Sequence, residues 1–379
     1  MMRWQNYILN RSTEVSIEFW KGYLLKQHRD ILYVNGIGFD PRTLSGIENI
    51  YGIGGEGRRD VLSVRYFQSD EEQNNDVSSP IVKSHIQELE IFLKTLKNSN
   101  HEVIPLITRS EQKSIASIKA YNIVNTIDRI KPYSDVIVDI SAMPRGIFIP
   151  LLNKLLRLID DYKESVINLH VIVTENYKLD AQIEDQGVEQ SAEYIHGLSI
   201  PDLTNTQDYR EIWIAILGEK QLEQYESIRS SLNPVSTCAI LPFPSKNLRR
   251  GDDLLVHYQD KLLNDSDFDM KNIIYADEQN PFQVYRLITK TIDRHNQSLA
   301  IFGGSKVIIS ALSSKLLTVG AFLAAYETKQ LEKKENQNLR VGIKHVDSIS
   351  HKFEAGNNIA ELLSHNQLFH MWIAGDPYL

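Results

Sequence analysis

A twice-repeated alternation of short apolar runs with amphipathic segments limits this chain more than any other feature. "DILYVNGIGFDPR" (residues 30–42) opens with an apolar strand that breaks at Gly36 and Gly38. "DVLSVRYF" (60–67), "HEVIPLIT" (101–108), "SDVIVDIS" (134–141) and "INLHVIVTEN" (167–176) follow as further strands. Between them, residues 81–96, 114–130 and 145–162 carry apolar residues at helical spacing, with Pro150 near the start of the last segment. Strands that alternate with helices need crossover connections, so the expected sheet is parallel and covered on both faces.

After a polar stretch the pattern restarts. "EIWIAILG" (211–218), "VSTCAILPFPS" (235–245), "KNIIYADEQNP" (271–281), "SLAIFGGSK" (298–306) and "NLRVGIKHV" (338–346) read as strands, and residues 307–326 as a long helix. The reading is α/β: two Rossmann-like domains with mainly parallel sheets covered by helices. The first spans residues 1–180 and the second 211–379, joined by a linker or inter-domain excursion over 181–210. The last residues, "HNQLFHMWIAGDPYL", are expected as a docking segment of the second domain, set on the body or on a second subunit, with Trp372 buried. "DVIVDISAMPRGIFIPLLNKLL" also parallels "QSLAIFGGSKVIISALSSKLLTVGAFLAA", placing Arg145 and Lys306 in equivalent positions. Either a duplicated α/β unit or common βα architecture accounts for the parallel.

With 379 residues the chain is long enough for two cores, and 42% hydrophobic with 24% charged residues is a globular composition. Lysine and arginine number 41 against 49 acids, a net −8, so no duplex nucleic-acid partner is expected. The single cysteine, Cys238, excludes an intrachain disulfide and a cysteine-rich metal site, and its place in an apolar strand makes it a core residue. No leader pattern and no run of 18 apolar residues is found, so a cytoplasmic protein without membrane contact is expected. H-E-x-x-H and G-x-S-x-G are absent; no metal is expected and a hydrolase nucleophile elbow has no support.

Ligands of open parallel sheets bind outside the carboxyl ends of the strands, so the residues after each apolar run are the candidates. In Gly303-Gly304-Ser305-Lys306 the glycines admit close approach of backbone N–H groups to an anion, Ser305 caps the following helix, and Lys306 is a point charge for phosphate. The alternative is a plain strand-to-helix corner. "PFPSKNLRRGDD" gathers Lys246, Arg249 and Arg250, whose charges suit phosphate, or which pair with the neighbouring aspartates. In "YADEQNPF", Asp277 and Glu278 are placed to read ribose or a base, while Asn280 caps a helix. "GFDPR" and "DISAMPR" set Arg42 and Arg145 beside Asp40 and Asp139, for ligand phosphate or for a salt bridge at the sheet edge.

The stretch "AIFGGSKVIISALSSKLLTVGAFLAAYE", within residues 298–327, resembles the hallmark region of CRISPR-associated Rossmann-fold sensor domains. That resemblance implies a dimer that binds a cyclic oligonucleotide or related nucleotide, with Gly303, Gly304, Ser305 and Lys306 touching the ligand and "SAMPR" as a degenerate counterpart. No attached nuclease or DNA-binding effector is recognised. The expectation is a nucleotide-binding sensor or regulatory protein of a bacterial signalling or antiphage-defence system, homo-oligomeric and without a certain cofactor beyond its nucleotide ligand. One rival is an enzyme acting on a nucleotide or nucleoside, with Asp277, Glu278, Asp139 or Asp40 as general acid or base. Another is a scaffold subunit whose loops meet a protein partner.

Overall fold

The computed structural model describes residues 2–77, 79–111, 113–201, 209–335, 338–353 and 359–378. They form two compact units, the first of residues 6–187 and 349–379 and the second of residues 1–5 and 188–348. In the first unit β1 (Ile8–Arg11) and α1 (Thr13–Leu24) precede β2 (Ile31–Ile37), α2 (Ser45–Tyr51) and β3 (Arg59–Phe67). Next come α3 (Asp70–Asn74), α4 (Pro80–Leu93), β4 (His101–Ile107), the short β5 (Arg109–Ser110) and β6 (Lys113–Ser114), and α5 (Ala116–Tyr121). Then follow β7 (Asp135–Asp139), α6 (Arg145–Asp161), β8 (Asn168–Glu175), α7 (Tyr177–Asp180) and β9 (Ile183–Val188).

The second unit contains β10 (Glu193–Tyr194), β11 (Arg210–Ile216), α8 (Leu222–Ser230), β12 (Ser236–Pro242), α9 (Arg250–Leu263) and β13 (Phe268–Ala276). It ends with α10 (Pro281–Leu299), β14 (Ser305–Ala311), α11 (Lys315–Glu335) and β15 (Leu339–His345). The chain returns to the first unit through β16 (Ser348–Phe353), which pairs with β9, then α12 (Ile359–Leu363) and β17 (Gln367–Ala374).

The sheets run β1-β17-β8-β7-β2-β3-β4 and β10-β15-β14-β11-β12-β13. Within each, five parallel strands numbered by appearance lie in the order 5-4-1-2-3, and the added strands join through antiparallel pairs. Two mainly parallel sheets flanked by helices are the α/β class expected from the alternation. β2 and β7 are buried along their whole length, which is why they read as unbroken apolar runs. Tyr33, Ile137 and Ile172 pack with Trp20, Ile47 and Leu89 in one core, and Trp213, Ala239 and Leu241 with Tyr225, Tyr258 and Leu262 in the other.

Several expected boundaries move. The C-terminal segment belongs to the first unit rather than to a domain 211–379: β17 is buried from Leu368 to Ala374 and so needs a strand on each side, which β8 and β1 supply. Trp372 is buried, as expected. The first five residues belong to the second unit rather than to a domain 1–180, and Trp4 is fully buried with its ring edge-on to Tyr285 at 5.3 Å. Part of the expected linker forms β9 and β10, while residues 202–208 lie outside the described residues. β2 does not break at Gly36, because a Cβ there would sit 1.9 Å from the Tyr66 hydroxyl; the glycine makes room for a neighbour within the strand. The helix expected over 114–130 stops at Tyr121, where Asn122-Ile123-Val124-Asn125-Thr126 is a run of poor helix formers.

The largest change concerns Gly303 to Lys306. α10 runs on to Leu299, a 3₁₀ turn covers Ala300–Phe302, and Gly303 and Gly304 have φ of 95° and 139°. The glycines therefore end a helix, and the β-branched Val307-Ile308-Ile309 is strand.

Candidate functional site

In each unit the loops after strand one and strand four diverge at a topological switch point, β2 against β7 and β11 against β14. The strand-four turns correspond: Ile140-Ser141-Ala142-Met143-Pro144-Arg145 opens α6 after β7, and the shorter Leu312-Ser313-Ser314-Lys315 opens α11 after β14. Each ends on a cation that is the first residue of a long helix. The counterpart of Arg145 is therefore Lys315 and not Lys306. A helix expected from residue 307 hides Ser313-Ser314-Lys315 in its interior; serine just before a helical run is the signal that marks the true start.

Gly303, Gly304, Ser305 and Lys306 lie at the opposite, amino-terminal edge of their sheet, so they do not face the strand ends where a ligand was expected. Ser305 is buried and its hydroxyl donates to Asn296 Oδ1 at 2.7 Å, so it caps no helix. Lys306 Nζ lies 3.0 Å from Glu211 Oε2. A Cβ on Gly304 would meet the Asn338 carbonyl oxygen at 2.2 Å, so its glycine serves chain packing.

At the switch point of the first unit Asp139 is buried beneath α2, where a Cβ on Gly46 would come 2.4 Å from Asp139 Oδ2. Tyr33 hydroxyl donates to Oδ2 at 2.7 Å; Ser141 N–H donates to Oδ1 at 2.9 Å and the Ser141 hydroxyl donates to the same oxygen. Ser141 Oγ in turn accepts the Thr174 N–H at 2.8 Å, tying the turn to β8. Asp139 thus holds the turn in shape. Arg42, 3% exposed, donates through Nε and Nη2 to both oxygens of Asp40, and its Nη2 also lies 2.8 Å from Asp180. Its Nη1 donates to the Thr174 carbonyl at 3.3 Å, so Arg42 is the salt-bridged member of the two alternatives and not open to a phosphate.

Arg145 is half-buried at the start of α6, and its N-cap residue Pro144 brings no side-chain acceptor to the first turn. α11 differs, since Ser314 Oγ accepts the Leu317 N–H at 3.3 Å. Buried polar atoms surround the first turn's approach: Asn35 Nδ2, Tyr66 Oη and Thr174 Oγ1 have no hydrogen-bond partner.

In the second unit Lys246, Arg249, Arg250, Asp277 and Glu278 lie in the loops after β12 and β13 at the carboxyl edge or at the start of α9, and of these Glu278 meets Arg250 and the Lys246 backbone. Arg250 is clamped: Nε and Nη2 donate to the two oxygens of Glu219, each at 2.6 Å, and Nη1 donates to Glu278. Burial alone would raise the Glu219 carboxyl, but the hydrogen bonds and charge of Arg250 outweigh it and hold the carboxyl below its usual range. Glu278 also accepts the Lys246 N–H at 3.0 Å. Asp277 Oδ1 accepts the Gln279 N–H at 2.9 Å. Arg249 is exposed, 4.0 Å from Asp253, and the Lys246 side chain is exposed. Asn280 caps α10 as expected, its Oδ1 accepting the Gln283 N–H at 3.2 Å. Cys238 is buried and its thiol is pushed up to about 11 by that burial, so it is a core residue.

Among the described residues no group of three or more His, Cys, Asp or Glu is placed to hold a metal ion, and no helix is long and apolar enough to cross a membrane. No family model matches the chain, and no curated protein matches it. Among solved structures a crystal structure of UDP-N-acetylglucosamine 2-epimerase is similar at 11% identity, covering 83% of this chain and 90% of that one, with a TM-score of 0.18, too slight a likeness to carry an argument.

Proposed function

We propose that the protein is a nucleotide-binding sensor or regulatory protein, of a bacterial signalling or antiphage-defence system, that takes its ligand's phosphate at the Ile140–Arg145 turn. One observation carries this reading. A 17-residue helix starts with Arg145 at the switch point of a parallel sheet, behind an N-cap proline that has no acceptor of its own. A helix N-terminus beside a guanidinium is complementary to phosphate in charge and in donor geometry. The Leu312–Lys315 turn is the second, weaker place, because Ser314 already supplies an acceptor there. The stretch that resembles the CRISPR-associated sensors contains this second turn, so the resemblance is retained with its ligand residues moved from Gly303–Lys306 to Ser313–Lys315.

Binding without turnover is favoured over catalysis because the candidate carboxylates are engaged. Asp40 holds Arg42, Asp139 holds Tyr33 and Ser141, Glu278 holds Arg250, and Asp277 accepts a backbone N–H. The test is a thermal-shift screen against mono-, di- and cyclic oligonucleotides. A ligand at a hundredfold excess over Kd adds about 2.7 kcal/mol of stability. Arg145→Ala is expected to weaken binding by about tenfold, the loss of one charge-assisted contact, with Lys315→Ala smaller and Lys306→Ala without effect. Chromatography of the same samples should return the nucleotide intact. Released product would transfer the protein to the enzymes, and an absence of any nucleotide effect would end the reading.

A further inference from the structure

A file of side-chain hydrogen bonds crosses four adjacent strands of the first unit, away from the strand-four turn. Asn10 on β1 stands opposite His370 on β17, with Asn10 Nδ2 2.9 Å from His370 Nδ1. His370 Nε2 is 2.9 Å from Nδ1 of His170 on β8, and His170 Nε2 is 3.2 Å from Asp135 Oδ1 on β7. His170, His370 and Asp135 are all fully buried. Trp20, Tyr23 and Trp372 pack against the His170 ring, and Phe19 and Trp20 against that of His370.

Proton counting along this file has one consistent solution at neutral pH. Asp135 can only accept, so His170 Nε2 carries a hydrogen and, in a neutral ring, His170 Nδ1 accepts. His370 Nε2 must then donate, which leaves His370 Nδ1 to accept from the Asn10 amide. One added proton can be accommodated if the file reverses, with His370 moving its hydrogen to Nδ1 and Asn10 turning its carbonyl oxygen inward. Two added protons cannot, because N–H would then face N–H across 2.9 Å between β17 and β8.

We propose that this file is an acid-release latch for the two antiparallel strands β1 and β17. Neutral, it ties them to the parallel strands; with both imidazoles charged, the repulsion falls on the seam between β17 and β8, and the added strands loosen while β2, β3 and β7 stay folded. The seam is the boundary where the returning C-terminal segment joins the five-strand core. The other groups facing His170 are Tyr23, whose hydroxyl donates to Asp135 at 2.6 Å, Arg29, 3.7 Å from Asp135, and Asp376. His370 faces His170 and Asn10. Burial holds both imidazoles below their ordinary range, and Asp135 pulls His170 part of the way back. The sign follows: the seam keeps its full stability above the ordinary histidine pKa and loses it as pH falls towards the lowered values.

Hydrogen exchange of the whole protein, corrected for the intrinsic pH dependence, reads this directly. Between about pH 7.5 and about pH 5, amides of Ile8–Arg11 and Gln367–Ala374 should lose at least about tenfold in protection, with β2, β3 and β7 changed less than about twofold. His370→Phe, which keeps an aromatic ring in place and removes the facing N–H, should abolish the step. Nitrogen NMR of the wild-type imidazoles stands independently of that variant's folding, and should find both rings neutral with hydrogen on Nε2 at neutral pH. Simultaneous loss across all strands, no loss in β1 and β17, or a charged ring at neutral pH would each overturn the latch.

Discussion

The two units share a strand order and a strand-four turn, yet they hold that turn by different means. In the first unit the turn hangs on Asp139, a buried carboxylate accepting from Tyr33 and from both the N–H and hydroxyl of Ser141. In the second unit the last strand residue is Ala311, which brings no carboxylate, and the turn is set by backbone contact: a Cβ on Gly218 would lie 2.0 Å from the Leu312 carbonyl oxygen. One neutral bond assists, from Trp213 Nε1 to Ser310 Oγ at 3.0 Å. The same topology is thus compatible with a polar anchor or with close backbone packing. The polar version leaves Arg145 just after an N-cap residue, Pro144, that brings no acceptor, whereas the packed version ends in a serine that already caps its helix.

The sharpest way to break the comparison is to remove each anchor. Asp139→Ala leaves the Tyr33 hydroxyl and the Ser141 N–H buried without that acceptor, an expected loss of about 3 kcal/mol or more from the first unit. Ser310→Ala orphans a single indole N–H and should cost the second unit about 1–2 kcal/mol. Protection of the slowest-exchanging amides in β2 and β3, and separately in β11 and β12, measures each effect in its own unit. Equal losses from the two variants would mean that the buried carboxylate has no special part.

Why these anchors were only partly legible in the sequence has a physical explanation. The alternation of apolar runs and helices exposes nine of the ten parallel core strands in place: central strands such as β2 and β7 are covered on both faces and so apolar throughout, while the more exposed edge strands β4 and β13 stand out between helical segments. The tenth, β14, was displaced by a few residues, because Gly303-Gly304 suits the end of a helix as well as a phosphate turn, and local pattern does not say which. That slip moved the whole second candidate site to the wrong edge of its sheet. Arg250 and Glu278 each stand among the candidates after their strands, with the neighbouring aspartates as the alternative partners of Arg250, but Glu219, which completes the clamp, lies 31 residues away in sequence and carries no local signal. The return of β17 to the first sheet is a long-range choice that apolar length alone leaves open.

The Arg250 clamp offers a smaller, pH-dependent contrast. Against the burial that would raise it, Arg250 is the main group that holds the Glu219 carboxyl below its usual range, so the clamp's stabilisation is complete above the unfolded-chain value and is lost as pH falls through the lower folded one. The Glu219 side chain is 52% exposed, so solvent screens most of the attraction and the expected contribution is below about 1 kcal/mol. Arg250→Ala should therefore flatten the acid limb of the second unit's stability and leave the first unit unchanged. A steeper acid limb in the variant would reverse the assigned direction.

The smallest expected effect decides whether the amino-terminal edge matters at all. Lys306 pairs with Glu211 at 3.0 Å, and the two side chains are 28% and 13% exposed, so the pair is screened only in part. Its removal in Lys306→Ala should cost the second unit about 1 kcal/mol or less, because Glu211 keeps a second contact, accepting the Asn233 N–H at 2.7 Å. Salt should reduce that cost, and nucleotide binding should be untouched. The stability term and the binding term are separable in this variant because the lysine sits at the opposite end of β14 from the Ser313–Lys315 turn. If Lys306→Ala instead lowered nucleotide affinity as much as Arg145→Ala, with stability unchanged, the ligand would have to reach the amino-terminal edge, and the difference drawn between the two switch points would lose its functional meaning.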